Sequence, residues 1–431
     1  MSEKIVRTDD MIWVLDPNAK MLGPVADKGT IIARTSPGCW GAMITPDYPS
    51  GHEVTRPVAI EGAEIGDSIA LRIKKVKVLS SATVSGTDQG VDGHFVGNPS
   101  IAARCPVCDL INPPSYPEGV GENAVRCKKC GNPVTPFKLV SGYTMVFDKE
   151  KTTAITVSSE ACKTIANNAR ELAALPAESK QYPINLWAKA DLPGIITRVR
   201  PMIGNMGSCP AVPFPSSHNA GDFGASLVGA PHAYSLTAEQ LLSRTDGHMD
   251  SDEVREGAIL IVPVKVAGAG IYVADIHAMM GDGEIAGHTS DVSAEVTLEV
   301  EIIKGLKIDG PILLPNKEDL PFLAQPYDIK LLDVARKLAS EYQTKLEEDV
   351  YPLQVFGSGR NLDAAVSNGL NRMADLLEMP IDEVRNRATI VGSIMISRLP
   401  GMVQITAMVP KSKITALHIA HLFEEQYGVA K

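Results

Sequence analysis

The sequence lacks long hydrophobic runs and has no excess of positive charge. No stretch of eighteen consecutive apolar residues occurs, so we expect no membrane-spanning helix. The first ten residues, MSEKIVRTDD, contain no apolar run, and this argues against a secretory signal. Asp and Glu number 51 against 41 Lys and Arg, which disfavours a nucleic-acid-binding protein. An apolar content of 44% and a charged content of 21% indicate a soluble globular protein.

Cysteine is scarce, and its spacing is uneven. The seven cysteines cannot all pair, which fits a reducing cytoplasm better than a disulfide framework. Four of them, Cys105, Cys108, Cys127 and Cys130, form the pattern C-x2-C-x18-C-x2-C. Each C-x2-C pair forms a tight turn, here called a knuckle. Two knuckles together supply four thiolates for one tetrahedral ion, so the pattern predicts a zinc ribbon with a structural zinc. The alternatives are knuckles that have lost their metal or that form a redox pair.

Acids and histidines are concentrated in one stretch, Tyr272–Glu295. Six acids and histidines lie within its seventeen positions from 275 to 291: Asp275, His277, Asp282, Glu284, His288 and Asp291. Apolar, β-branched stretches precede and follow, at 258–273 and 296–303, so we expect two strands to hold this segment. Carboxylates and imidazoles gathered in this way suit a divalent ion or general acid–base chemistry. The alternative is a set of ordinary turns whose acids are solvated.

A second polar segment, RTDGHMDSDE, comes shortly before that stretch. Asp246, His248 and Asp250 alternate along it, and on an extended chain they would share one face.

Cys209 lacks an evident base, so we interpret it as a packing residue and not a nucleophile. His218, Asn219 and Asp222 are candidates for lining a pocket. Cys39, Trp40 and Asp47–His52 could line a cleft, but a plain loop is the favoured interpretation.

Helical periodicity appears in the last quarter of the chain. Apolar residues recur at helical spacing over 328–350 and 361–388, which predicts two helical regions with buried stripes. The stripe of the first contains Leu331, Leu332, Ala335, Leu338 and Ala339. Residues 1–80 are expected to be rich in strands, and residues 403–409 to form a strand.

Three stretches resemble the acetamidase/formamidase family of amide hydrolases. The longest is GAILIVPVKVAGAGIYVADIHAMMGDGE from Gly257; the others are RPVAIEGAEIGDSIALRIKKVKV, at 56–78, and GHMDS, at 247–251. The resemblance implies a mainly β protein with a β-sandwich core and a smaller α+β part. We therefore expect four segments: an N-terminal β-rich part of the amidase core (1–100), the zinc-ribbon insertion (101–145), a central β-rich catalytic part (146–320) and a C-terminal α+β part (321–431).

The resemblance also implies hydrolysis of a short amide, similar to formamide or acetamide, to a carboxylate and ammonia. The sequence departs from the family pattern at His248, where Asn is usual, and at Asp291, where Glu is usual. The alternatives are a lactamase acting on small cyclic amides and a non-enzymatic assembly or regulatory protein on a degenerate hydrolase scaffold. We expect a cytoplasmic homo-oligomer.

Amide hydrolysis needs an activated water and a stabilised oxyanion. We expect Asp275, His277 and Asp250 to hold a divalent ion or to orient water. Glu284 would act as the base and then protonate the leaving nitrogen. His248 and Asp291 would orient these groups. A catalytic ion would be a second metal beside the ribbon zinc.

Overall fold

The computed structural model describes residues 3–38, 52–182 and 189–428. Strands account for 35% and helices for 21%, so the predicted mainly β class with an α+β part is confirmed. No helix within the described ranges is both long and apolar enough to cross a membrane.

Strands dominate the first three quarters of the chain, and most of the longer helices come after them. The strands are β1 (Glu3–Thr8), β2 (Met11–Ile12), β3 (Val14–Leu15), β4 (Leu22–Arg34), β5 (Val54–Thr55), β6 (Val58–Ile60), β7 (Ser68–Val78), β8 (Ala82–Gly90), β9 (Ser115–Pro117), β10 (Val125–Cys127), β11 (Phe137–Phe147), β12 (Thr153–Thr156), β13 (Ile196–Arg198), β14 (Met202–Ser208), β15 (Phe214–Pro215), β16 (Ile259–Pro263), β17 (Ile271–His277), β18 (Asp291–Val292), β19 (Ala294–Ile303), β20 (Ile312–Leu314), β21 (Val350–Ser358), β22 (Gly392–Arg398) and β23 (Met402–Pro410). The helices are α1 (Ser159–Asn167), α2 (Ala169–Leu172), α3 (Gly221–Ala225), α4 (Ala238–Leu241), α5 (Ile329–Glu341), α6 (Leu362–Leu377), α7 (Ile381–Ile390), α8 (Lys411–Ala416) and α9 (Ala420–Tyr427).

A large mixed sheet organises the described chain. Its strand order is β14-β17-β6-β4-β19-β7-β16-β20-β21-β23-β22, with β1 beside β4 and β18 beside β17. The pairs β1–β4 and β4–β6 are parallel. At its centre, β7 and β19 pair in an antiparallel register from Ser68 opposite Ile303 to Val78 opposite Ala294. Burial is continuous over the first four residues of β7, Ser68 to Leu71, and the strand thus lies deep within the sheet.

Two cores lie against this sheet. The first contains residues from its middle, such as Leu71 and Leu298, together with Ile203 and Ile276 from the β14–β17 end. Residues from strands far apart in the sheet order therefore share this first core. The second core is formed by β20, β21 and β23 against α6, α7 and α9.

One helix prediction is correct, and another is wrong about burial. In α6, Leu370, Met373 and Leu377 are buried as the stripe over 361–388 predicts. Helix α5 ends at Glu341 and has no buried residue; Leu331 is 51% exposed and Leu338 is 53% exposed. Leu332, Ala335 and Ala339 are half-buried, so the helix lies against the protein along one edge of its apolar stripe, while Leu331 and Leu338 face outward.

A four-stranded sheet, β13-β12-β11-β8, carries the cysteine segment. Strands β8 and β11 pair from Ala82 opposite Val146 to Gly90 opposite Phe137. The connection between them, residues 91–136, contains both knuckles and the short pair β9–β10. The cysteine segment therefore lies at the far end of a long hairpin.

Candidate active site

Four of the predicted side chains meet in a buried cluster around Asp275. His277 Nε2 lies 3.2 Å from Asp275 Oδ1, and His248 Nε2 lies 3.3 Å from Asp275 Oδ2. His248 Nε2 is also 2.9 Å from Asp250 Oδ2. All four side chains are at most 1% exposed. The two polar segments found in the sequence thus converge on one place.

Strand β14 explains why the two segments meet. It pairs with β17 on one side, and isolated bridges from Asn205 to His248 and from Met202 to Arg255 place the second polar segment on its other side. Gly204, in β14, lies between the two acids: a Cβ there would lie 2.8 Å from Asp275 Oδ2 and would collide with Asp250 Oδ1. A glycine is required here because the two carboxylates occupy the space of any side chain.

The acids of the cluster have unusual backbone conformations. Asp250, Asp275 and Glu284 have φ angles of 46°, 57° and 42°, in the left-handed region that L-residues rarely adopt. Such conformations persist where the surroundings fix them, and they concentrate at functional sites. The ladder between β14 and β17 skips Asp275, so a local distortion of β17 accompanies the approach of Asp275 to His277.

Glu284 and Asp291 border the same cluster. Asp291 Oδ1 is 3.5 Å from His277 Nε2, because β18 pairs with the end of β17. Glu284 is 4% exposed, and its Oε1 has no hydrogen-bond partner among the described residues. A bridge between Gly283 and Arg398 attaches the Glu284 loop to strand β22. Glu284 is therefore held by the last hairpin of the chain, β22–β23.

Burial and neighbouring charges shift the pKa values of the carboxyl groups in the cluster in opposite directions. Burial, together with the nearby charge of Asp250, raises the pKa of Glu284 well above its usual value. Burial also raises the pKa of Asp291, to about 6. Asp275 behaves oppositely: burial alone would raise its pKa, but the charges of His52 and His277 hold it well below its usual value. Neighbouring carboxylates with opposite pKa shifts are typical of acid–base sites.

Three residues of the cluster were not predicted as catalytic. His52 Nε2 lies 3.7 Å from Asp275 Oδ2, and burial lowers its pKa to about 3. Arg398 binds Asp222 through two contacts of 2.5 and 2.6 Å and lies 3.0 Å from Asp250 Oδ2. The ring of Phe223 stacks on His248. His52 belonged to a segment interpreted as a loop, and Asp222 was expected only to line a pocket.

Other candidates lie elsewhere in the fold. Asp246 shares no face with His248: it binds Arg244, Arg372 and Ser358 instead. Asp282 is exposed and lies beside Asp252. Cys209 is buried, and burial raises the pKa of its thiol to about 12, as a packing residue requires. Cys39, Trp40 and Asp47 lie outside the described residues.

His288 pairs with the hairpin that carries the cysteines, at 2.8 Å from Asp88 Oδ2. Burial disfavours its charged form, but the hydrogen bond and charge of Asp88 outweigh this and raise its pKa from 6.5 to about 9. A raised pKa contributes stability that is complete below 6.5 and is lost as the pH rises to about 9. We expect a loss on the order of 3 kcal/mol over that interval.

The comparison of wild type with Asp88→Asn tests this expectation. Urea unfolding across the interval should show a steeper decline for wild type, because other titrating groups contribute equally to both proteins. Equal slopes would exclude His288 as the titrating group.

The four predicted zinc ligands lie together at the far end of the hairpin. Their sulfur atoms lie within 4.8 Å of one another, with Cys105 and Cys130 separated by 3.5 Å and Cys108 and Cys127 by 3.7 Å. Zn–S bonds of about 2.3 Å in a tetrahedron place sulfurs about 3.8 Å apart. The backbone N–H groups of Asp109 and Gly131 close the knuckles onto Cys105 and Cys127. Four thiols in this arrangement can bind a metal such as zinc.

Buried carboxylates and imidazoles therefore converge at one place in a mainly β fold, an arrangement typical of acid–base sites. The family model described as the acetamidase/formamidase family matches residues 39–417. The chain therefore belongs to the acetamidase/formamidase family. It is accordingly an amidohydrolase acting on short-chain linear amides.

Solved structures share the fold over almost the whole chain. A predicted acetamidase/formamidase from the thermophile Thermoanaerobacter tengcongensis is 17% identical, with 99% of this chain and 98% of that chain covered and a TM-score of 0.54. An acetamidase from Bacillus halodurans is 17% identical, with 99% and 100% covered and a TM-score of 0.52. An acetamidase from Yersinia enterocolitica is 15% identical, with 95% and 93% covered and a TM-score of 0.50. No curated protein matched the chain.

Proposed function

We propose that the buried cluster hydrolyses a formamide- or acetamide-like substrate, with Glu284 moving the proton. The observation that carries this proposal is the isolation of Glu284: a buried carboxyl with a raised pKa and an Oε1 without a hydrogen-bond partner. A base must reach the water it activates, and an already satisfied carboxylate cannot do so. Glu284 takes a proton from the attacking water at Oε1. It then returns that proton to the leaving nitrogen, so that the C–N bond breaks and carboxylate and ammonia form.

Asp250, Asp275 and His277 are proposed to hold a divalent ion. One oxygen or nitrogen from each lies within 4.8 Å of the others, and Asp250 Oδ1 has no hydrogen-bond partner among the described residues. Hard oxygens with one imidazole suit zinc and similar ions. When bound, such an ion polarises an amide carbonyl and acidifies a water.

His248 and Asp291 are proposed to orient the other groups. His248 contacts both Asp250 and Asp275, and its Nδ1 lies 2.7 Å from the carbonyl oxygen of Ser217. Asp291 contacts the His277 imidazole. Both therefore fix the rotation of side chains that face the substrate.

The substitution Glu284→Gln tests the proposed proton transfer. It preserves size and removes the base, so we expect kcat for acetamide or formamide to fall about 10²–10⁴-fold while the circular dichroism spectrum stays unchanged. Glu239→Gln, on an exposed position of α4, is the matched control and should retain full turnover. Retained turnover in Glu284→Gln would remove Glu284 from the mechanism.

We propose that the cysteine segment binds one structural zinc, since its four thiols leave no position for substrate. We also propose the four-segment division stated above, with 101–145 as an insertion. The described cysteines form no disulfide, which supports a cytoplasmic location.

We propose that the chain forms a homo-oligomer through α5. Leu331, Val334, Leu338 and Tyr342 are between 51% and 71% exposed and lie on one stripe at spacings of three and four residues. Exposed apolar stripes of this kind mark interaction sites, and a stripe on one helix can pack against its own copy across a two-fold axis.

The double variant Val334→Glu/Leu338→Glu should convert the oligomer to a monomer in light scattering with size exclusion. Lys337→Glu, also on α5, is the control and should leave the mass unchanged. A wild-type mass of 46.0 kDa, that of one chain, would contradict the proposal.

A further inference from the structure

We infer that the site holds two divalent cations and that the Asp275 carboxylate bridges them. The first cation is the one proposed above, at Asp250, Asp275 and His277, so the inference rests on the proposed function. The second is held by His52, His248 and Asp275. It therefore uses a histidine from a segment far from the two polar stretches.

The donors fall into two separate triads. In one, atoms of Asp250, Asp275 and His277 lie within 4.8 Å of one another; in the other, atoms of His52, His248 and Asp275 do so. All members are buried. Asp275 belongs to both triads, and the other members differ. Two metal positions that share one ligand have this arrangement.

The two oxygens of Asp275 face different triads. Oδ1 faces His277 Nε2 at 3.2 Å. Oδ2 faces His248 Nε2 at 3.3 Å and His52 Nε2 at 3.7 Å. Ligands at about 2.0–2.1 Å from a tetrahedral ion lie about 3.3–3.4 Å apart. Each oxygen therefore stands at ligand spacing from a different set of imidazoles.

The imidazole of His248 is oriented for metal binding. Its Nδ1 lies 2.7 Å from the Ser217 carbonyl oxygen, so Nδ1 carries the proton and donates it to that oxygen. This leaves the lone pair on Nε2, which faces both Asp250 Oδ2 at 2.9 Å and Asp275 Oδ2 at 3.3 Å. Metal-binding histidines are commonly fixed by such a carbonyl.

The imidazole of His52 can bind a cation through Nε2 if the side-chain amide of Asn205 is turned over. His52 Nδ1 lies 3.0 Å from Asn205 Nδ2, while Asn205 Oδ1 has no hydrogen-bond partner among the described residues. Amide oxygen and nitrogen are assigned from the surrounding network. With the amide turned, Oδ1 accepts from Nδ1–H in place of the 3.3 Å hydrogen bond that Nδ2 donates to the Ser216 carbonyl oxygen, and the lone pair of His52 Nε2 faces the second cation. The same rotation gives the buried Oδ1 a partner.

Metal counting with matched variants tests the inference. Zinc-loaded, desalted protein analysed by plasma mass spectrometry should contain about three ions per chain, one in the ribbon and two in the site. His52→Ala and His277→Ala should each remove about one ion, and Asp275→Ala about two. His421→Ala, at an exposed histidine, should remove none. Circular dichroism confirms that each variant is folded.

A spectroscopic measurement on the wild type does not depend on the variants. Manganese loaded into the site should give the electron paramagnetic resonance spectrum of an exchange-coupled pair, and spectra of isolated ions would overturn the bridge. A count of about two ions that falls with His277→Ala and not with His52→Ala would overturn the second cation and retain the first. Full turnover in Glu284→Gln with about three ions would instead refute the proposed proton transfer and leave the bridged pair intact.

Discussion

Replacing Cys105 and Cys130 by serine should abolish zinc binding at the ribbon and unfold its knuckles. Structural zinc sites contribute apparent binding free energies of about 10–16 kcal/mol, far more than this small segment gains from burial. Its core contains only a few apolar side chains, such as Val125 and Val134, beside the cysteines themselves. Without metal, residues 105–130 have too little buried surface to remain ordered.

Hydrogen exchange and zinc analysis measure this effect. Amide protection should disappear between the knuckles and persist in β8 and β11, which pair independently of the metal. Cys162→Ser is the control, because Cys162 lies outside the ribbon and its thiol donates to the carbonyl oxygens of Val157 and Lys189. Unchanged zinc content and protection in the double variant would contradict a four-thiolate site.

Asp246→Ala should destabilise the protein by about 3–5 kcal/mol, the cost of leaving buried partners without their counter-charge. Asp246 is fully buried and binds Arg244 at 2.8 Å and Arg372 at 2.6 Å. Burial alone would raise its pKa, but these two guanidinium groups hold it well below its usual value. The alanine would leave both of them unpaired and would occupy a backbone position with a φ of 53°.

Urea unfolding measures this loss. Asp246→Asn removes the charge but keeps a residue that tolerates left-handed φ angles. The protein should therefore lose less stability with Asp246→Asn than with Asp246→Ala. Asp382→Ala removes an exposed ion pair to Arg385 and should change stability by about 0–1 kcal/mol. Equal, small effects for all three variants would show that Asp246 does not connect the second polar segment to β21 and α6.

The sequence predicts the parts of the site that are local and fails where distant residues meet. Asp275, His277, Glu284 and Asp291 lie within one stretch, so their grouping is visible without a structure. His52 and Arg398 have no neighbouring pattern that would single them out, and only the sheet order brings them to Asp275. Gly204 carries no signal either, since its role depends on two carboxylates approaching from opposite sides.

The predicted shared face of the second polar segment failed because of its backbone conformation. Asp246, His248 and Asp250 alternate in sequence, but positive φ angles at Asp246 and Asp250 break the extended geometry on which a shared face depends. The fold class was accessible because three stretches resemble the acetamidase/formamidase family, and the periodic stripe of α6 added the position of one helix. Periodicity also identified α5 as a helix, but it cannot tell whether the partner of an apolar stripe is the same chain or another one.

The buried cluster joins His52, near the start of the described chain, to Arg398, near its end. Contacts between residues so far apart in sequence form slowly, because a long intervening chain must first be closed. The site cannot be complete until β22 has joined the edge of the large sheet. With the buried cluster as the active site proposed above, regain of turnover during refolding should lag behind the recovery of strand content.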